Sequence, residues 1–167
     1  DGEASIVGNS QHYRFQIQTR QPFAQSPASM WTADGSGNLH GLKFDKLHVL
    51  SEHGELLASG EMDWRTHFNW QADIQARNIN PAGLWPQAFR QQWPVLDEFS
   101  GKLNAQLSST GEFKKQLTAH TQIHHLSGIL RDYPVSLHSQ FNWQNNGLEI
   151  KQLVFSSGAA RNGFAIN

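Results

Sequence analysis

The chain contains no cysteine. That absence excludes thiol nucleophiles, disulfide frameworks and thiolate metal sites together, and it fits an oxidising compartment where stray thiols are avoided. An excess of charge is missing too. The 13 basic residues face 14 acidic ones, a net charge of -1, so bulk charge does not hold the chain on nucleic acid or on an anionic membrane surface. No apolar run approaches the roughly 18 to 20 residues of a membrane span, and no secretory signal is present. At 167 residues the chain is one ordinary domain or a section of something longer. Its first residue is Asp1 and not Met, which reads as an excised or processed piece.

Catalytic signatures are equally scarce. There is no Gly-x-Ser-x-Gly elbow, phosphate-binding loop or His-Glu-x-x-His pair. Asp63, Asp73 and Asp97 form no evident acid–base pair, and Lys114-Lys115 is a turn flank too small for nucleic acid. Nine histidines raise the question of a metal. His120 and His124, however, lie four apart on an extended segment, roughly 13 Å along it, so helical ligand spacing does not apply. His125 falls on the apolar parity and reads as a strand end. The expectation is a non-enzyme with no catalytic residues, no metal and no cofactor.

What the chain does have is amides and alternation. There are 16 Gln and 11 Asn, as many as the charged residues, so neutral hydrogen-bonding groups make up much of the polar surface. Tyr13, Phe15 and Ile17 alternate with polar neighbours, as do Leu56, Ala58, Gly60, Met62 and Trp64. The same holds for Phe68, Trp70, Ala72, Ile74 and Ala76, and for Leu103, Ala105 and Leu107. Leu117, Ala119, Thr121 and Ile123 form another run, and Val135, Leu137, Phe141 and Trp143 the last. Period-2 alternation predicts strands with one dry and one wet face. Short turns are predicted at His53-Gly54, Arg65-Thr66-His67, Gly111-Glu112 and Asn145-Asn146-Gly147. Asp34-Gly35-Ser36-Gly37 also reads as a turn between strands. The fold class is all-β, an antiparallel meander of about ten strands. One segment differs: Asn80-Pro81 signals a helix start, with one or two short helices expected around residues 81–93.

Residues 41–49 echo residues 147–155. In both, the apolar parity slips by one, from Leu42/Phe44 to Leu47/Val49 and from Leu148/Ile150 to Leu153/Phe155. A β-bulge produces such a slip and bends the strand, so the echo points to a repeating sheet curved on purpose. A one-sided sheet this apolar needs a cover, because each aromatic that buries ~200 Å² gains several kcal/mol. Either the sheet closes into a sandwich or barrel, or it curls into a trough with an apolar interior. Small residues on the dry face fit both, and the pattern leaves both open.

The chain resembles the TamB family, specifically its C-terminal β-rich half, within the AsmA-like group of envelope proteins. The resemblance rests on Gly60-Glu61-Met62-Asp63-Trp64, Asn69 to Ile74, Ile79-Asn80-Pro81, Trp93 to Leu96 and Phe99 to Leu103. Leu126 to Val135, and the strand from Leu148 to Phe155 with Ser157-Gly158-Ala159, complete it. It implies a taco-like trough, with residues 1–167 a single section of a longer repetitive β domain. It further implies a periplasmic protein anchored in the inner membrane by an N-terminal helix that lies outside these residues. Such a protein works with a TamA-like outer-membrane barrel, in autotransporter assembly and in moving phospholipid to the outer membrane. The expected groove lining is Tyr13, Phe15, Ile17, Phe44, Leu56, Met62, Trp64, Phe68, Trp70, Ile74, Leu103, Leu107, Ile123, Leu137 and Phe141. Phospholipid acyl chains are the expected ligand. The alternatives are a scaffold or chaperone for unfolded outer-membrane β-strands, and a closed structural β domain.

Overall fold

The computed structural model describes residues 2–20, 28–84, 91, 101–144, 147–158 and 162–166. Eleven strands follow one another: β1 (Gly2–Asn9), β2 (His12–Arg20), β3 (Ser29–Asn38), β4 (Gly41–Ser51), β5 (Gly54–Asp63) and β6 (Phe68–Ile79), then β7 (Gly101–Phe113), β8 (Leu117–Leu130), β9 (Tyr133–Gln144), β10 (Gly147–Ser157) and β11 (Asn162–Ile166). They form one sheet in unbroken chain order, a meander of the expected kind with one strand more than the alternation suggested. At about 4.8 Å per step, ten steps span ~48 Å. β1 and β11 do not pair with each other, so the sheet stays open.

A single turn of helix, α1 (Pro81–Leu84), begins where Asn80-Pro81 predicts it. Asn80 anchors it: its N–H donates to the His53 carbonyl at 2.7 Å, and its side-chain oxygen accepts from the Gly101 N–H at 3.4 Å. The longer helical reading to residue 93 falls almost entirely outside the described residues.

The sheet is a single layer. Strands pack against their chain neighbours, and α1 packs on β7. The accessible surface is 11518 Å², against about 8,300 Å² for a compact monomer of this mass. Among the described residues the buried apolar side chains are Phe15, Ala33 and Ala82. No sandwich or barrel core is present among them, which corrects the closed-domain alternative: the sheet carries a second face instead of a second sheet.

The register explains how so long a sheet keeps its faces. Ala4, Ile17, Ala33, Leu47, Ala58, Ile74, Leu107, Ile123, Ser139 and Leu153 are successive cross-strand partners from β1 to β10. Partners directly opposite share a face, so one lateral row is almost wholly apolar. The expected bulges are there. In β4 the register shifts between Phe44 and Leu47, and in β10 between Ile150 and Gln152. Two more occur, in β6 between Ala76 and Ile79 and in β8 between Ile123 and Leu126. All four sit on even-numbered strands, which run in the same direction. Each inserts an extra polar residue and returns the next apolar side chain to the dry face.

Two predicted turns prove to be strand. Asp34-Gly35-Ser36-Gly37 lies inside β3, and Gly111-Glu112 lies inside β7, whose turn follows at residues 114–116. The reason is the same at both. A Cβ on Gly35 would meet the Phe15 ring at 2.6 Å, and one on Gly37 would meet the Tyr13 ring at 2.6 Å. A Cβ on Gly111 would strike the Trp70 indole. An aromatic ring from the neighbouring strand lies over each glycine, supplying the packing that the glycine lacks.

Gly37→Ala should therefore destabilise the chain, and less so when Tyr13→Ala is also present. A urea-denaturation double-mutant cycle should give a coupling of about 1 kcal/mol. The turn between β8 and β9 supplies a second prediction. Arg131 and Asp132 have φ of 47° and 66°, the paired positive values of a two-residue hairpin turn that favours Asn-Gly. Asp132→Gly should raise stability by about 0.5 to 1 kcal/mol in the same assay.

Candidate functional site

The candidate site is the dry face. Of the 15 residues expected to line a groove, 14 share that face by register. Phe15 is its most buried apolar member among the described residues at 6% exposure and meets Phe44 edge-on, ring centres 5.6 Å apart. The exception is Trp64. It lies beyond the end of β5, 41% exposed, with its indole N–H donating to the Leu39 carbonyl of the adjacent turn at 2.9 Å. The alternation of β5 ends at Asp63, where the hydrogen bonds from Arg65 to Asp63 start the turn.

The face also holds residues beyond the expected groove lining. Trp31 and Ala33 belong to it on β3, Leu126 belongs to it beyond the β8 bulge, and Phe155 belongs to it as the parity slip in β10 predicts. The parity slip at Ile123/Leu126 is visible in sequence as a spacing of three, and it corrects His125, which stands opposite Gln106 on the wet face.

Large side chains of this face are exposed at both margins and at the β1 edge, Tyr133 at 64% and Ile6 at 69% among them. Phe68, Phe113 and Leu117, direct cross-strand partners on β6, β7 and β8, are 39%, 52% and 37% exposed. They stand beside the short turns at residues 64–67 and 114–116. Those turns carry ion pairs, Arg65 to Asp63 at 2.7 Å and Lys114 to Glu112 at 3.1 Å, and the His67 ring lies 3.2 Å from the Glu112 carboxylate. The hydrogen bond from Arg65 holds the Asp63 carboxyl below its ordinary range, and that from Lys114 does the same for Glu112.

Polar groups on the dry face are internally matched. Trp70 donates from its indole to Ser109 at 3.2 Å, and Ser109 lies 3.2 Å from the Thr121 hydroxyl. Ser139, the most buried polar residue at 2% exposure, donates to the Gln152 carbonyl at 2.8 Å, beside the β10 bulge. Such groups are satisfied within the sheet and leave the face effectively apolar. The wet face differs. Clefts of about 660 and 720 Å³ open there, one among His12, Lys43, Glu61 and Asp63, the other among Glu3, Gln16, Gln18 and Thr32. The first lining mixes both charges with amides, and the second sets the acidic Glu3 and Asp34 among amides.

The sheet is thus an open antiparallel meander with one continuous apolar face. The family profile described as "TamB, N-terminal domain" matches residues 1–164. The chain belongs to the TamB family. Within TamB the match lies on the N-terminal domain, which corrects the expected C-terminal placement. Alternating strands, Gly-apolar steps and Pro-led strands carry the same physical pattern along a repetitive sheet, so they mark the TamB family but not the position along it. No curated protein and no solved structure matches the chain. Among the described residues no helix is long and apolar enough to cross a membrane.

Lys114→Ala should let the Glu112 carboxyl titrate closer to its ordinary value, as read by carbon-detected NMR titration of the side chain. The depressed values of Asp63 and Glu112 also set a sign. Their pairs support the fold above the ordinary carboxylate range and lose that support as pH falls through the lowered values.

Proposed function

We propose that the chain is a non-catalytic section of a bridge-like conduit that shields phospholipid acyl chains between the inner and outer membranes. The observation that carries this reading is the dry face: one apolar surface, continuous across the sheet, with no second layer over it among the described residues. In water such a face gains about 25 cal/mol for every Å² that an apolar partner covers. Acyl chains are partners without fixed shape or hydrogen-bonding needs, so they can slide along lateral rows such as Ile74–Leu107–Ile123. The lipid headgroup stays in solvent at the margin of the sheet. Transport along the face is passive.

The family supports an envelope setting for this role. The section belongs to a longer periplasmic protein, anchored in the inner membrane and cooperating with a TamA-like outer-membrane barrel in outer-membrane protein and autotransporter assembly.

A scaffold reading draws on a different feature. β1 is an edge strand, and its Ile6 and Val7 are 69% and 71% exposed. A free edge can accept an extended strand through its backbone, as a chaperone for unfolded outer-membrane segments would require.

Photo-crosslinking in cells separates the two. Probes at Trp70 and Leu107 should trap phospholipid, while probes at Gln71 and Gln106 on the opposite face should not. Equal capture on both faces would overturn the conduit reading. Leu107→Arg should abolish lipid capture at Trp70 and leave any β1-mediated peptide contact intact, and proline in β1 should do the reverse.

A further inference from the structure

The bulge in β8 gathers histidines on the wet face. His124 and His125 together stand opposite the single residue His138 of β9, because the register steps from Ile123↔Ser139 to Leu126↔Leu137. Two residues facing one is the defining geometry of a bulge. The ring centres of His125 and His138 lie 5.5 Å apart, with planes inclined at 50°.

That separation matches chelation. Metal–nitrogen bonds of about 2.0 to 2.1 Å, with each ring centre about 1.1 Å behind its nitrogen, put two imidazoles at a tetrahedral angle about 5 Å apart. The neighbouring histidines are engaged elsewhere. His124 sits 2.9 Å from the Ser108 hydroxyl. His120 lies 2.6 Å from the Asn142 side chain through Nδ1 and 3.3 Å from Gln140 through Nε2. Among the described residues, no hydrogen bond or ion pair occupies the rings of His125 or His138. Both are exposed, and their flanking partners, Gln106 on β7 and Val154 on β10, carry no charge to repel a cation.

We propose that His125 and His138 form a two-histidine site for a divalent transition-metal ion such as Cu²⁺ or Zn²⁺. Imidazole is a favoured donor for both ions, and Cu²⁺ ranks highest in affinity. No third His, Asp or Glu joins the pair among the described residues, so water completes the coordination and the ion exchanges with solvent. A bound ion links β8 to β9 at the point where their pairing is interrupted. The site lies on the face opposite the apolar one and is independent of lipid binding.

The test is Cu²⁺ titration of the full chain, followed by pulsed electron paramagnetic resonance, which counts coordinated imidazoles. The wild-type chain should show a tightest-binding Cu²⁺ population with two imidazoles. His125→Gln or His138→Gln should leave one and weaken that population about tenfold or more. His120→Gln and His124→Gln should leave both count and affinity unchanged. Retention of two imidazoles in His138→Gln would overturn the proposal, as would a wild-type spectrum with a single imidazole. Because the wild-type count stands by itself, the result does not depend on the variants folding.

Discussion

Everything in this molecule depends on face parity being preserved across eleven strands in one layer. In a two-layer protein, a local slip can be absorbed by repacking against the opposing sheet. Here the described residues offer no opposing sheet, and a slip of one residue would move every later apolar side chain of a strand into the wet face. The four bulges serve this requirement. Each adds one polar residue and returns the following apolar residue to the shared face. Because all four lie on strands running in the same direction, their bends add along the sheet.

The same economy of layers explains the glycines. A glycine in a sheet normally weakens it, since it brings conformational entropy and no packing. Gly35, Gly37 and Gly111 are covered instead by Phe15, Tyr13 and Trp70 from adjacent strands. Aromatic packing thus runs laterally within the layer, where a sandwich would direct it toward a second sheet. The outcome is a face whose side chains are mostly half-buried by their own neighbours, with no second layer over them among the described residues.

The two faces also divide the chemistry. Lateral contacts hold the aromatics and satisfy Ser109, Thr121 and Ser139 without turning the dry face polar. The charged residues, amides and histidines occupy the wet face and the turns, where the bulges place extra residues such as Asp45, Lys151 and His124. A bulge that restores apolar parity on one side concentrates functional groups on the other.

Much of this was determined by sequence alone. Alternation defined the strands and named 14 of the 15 face residues, because side-chain direction in a strand follows from local backbone geometry. The slips at Phe44/Leu47 and Ile150/Leu153 located two bulges, since a spacing of three between apolar residues has no other economical reading in a strand. What required tertiary structure were the contacts between strands. Gly35 and Gly111 look like turns until a ring from the next strand covers them, and no local rule contains that ring. Trp64 looks like a strand residue until the Leu39 carbonyl is seen to hold it at the turn. The pairing of His125 with His138 depends on which residues a bulge leaves opposite one another. Whether the sheet closes was likewise undecided in the sequence, because apolar alternation is the same for a sandwich and an open layer. Only the absence of pairing between β1 and β11, and of a second layer among the described residues, decided it.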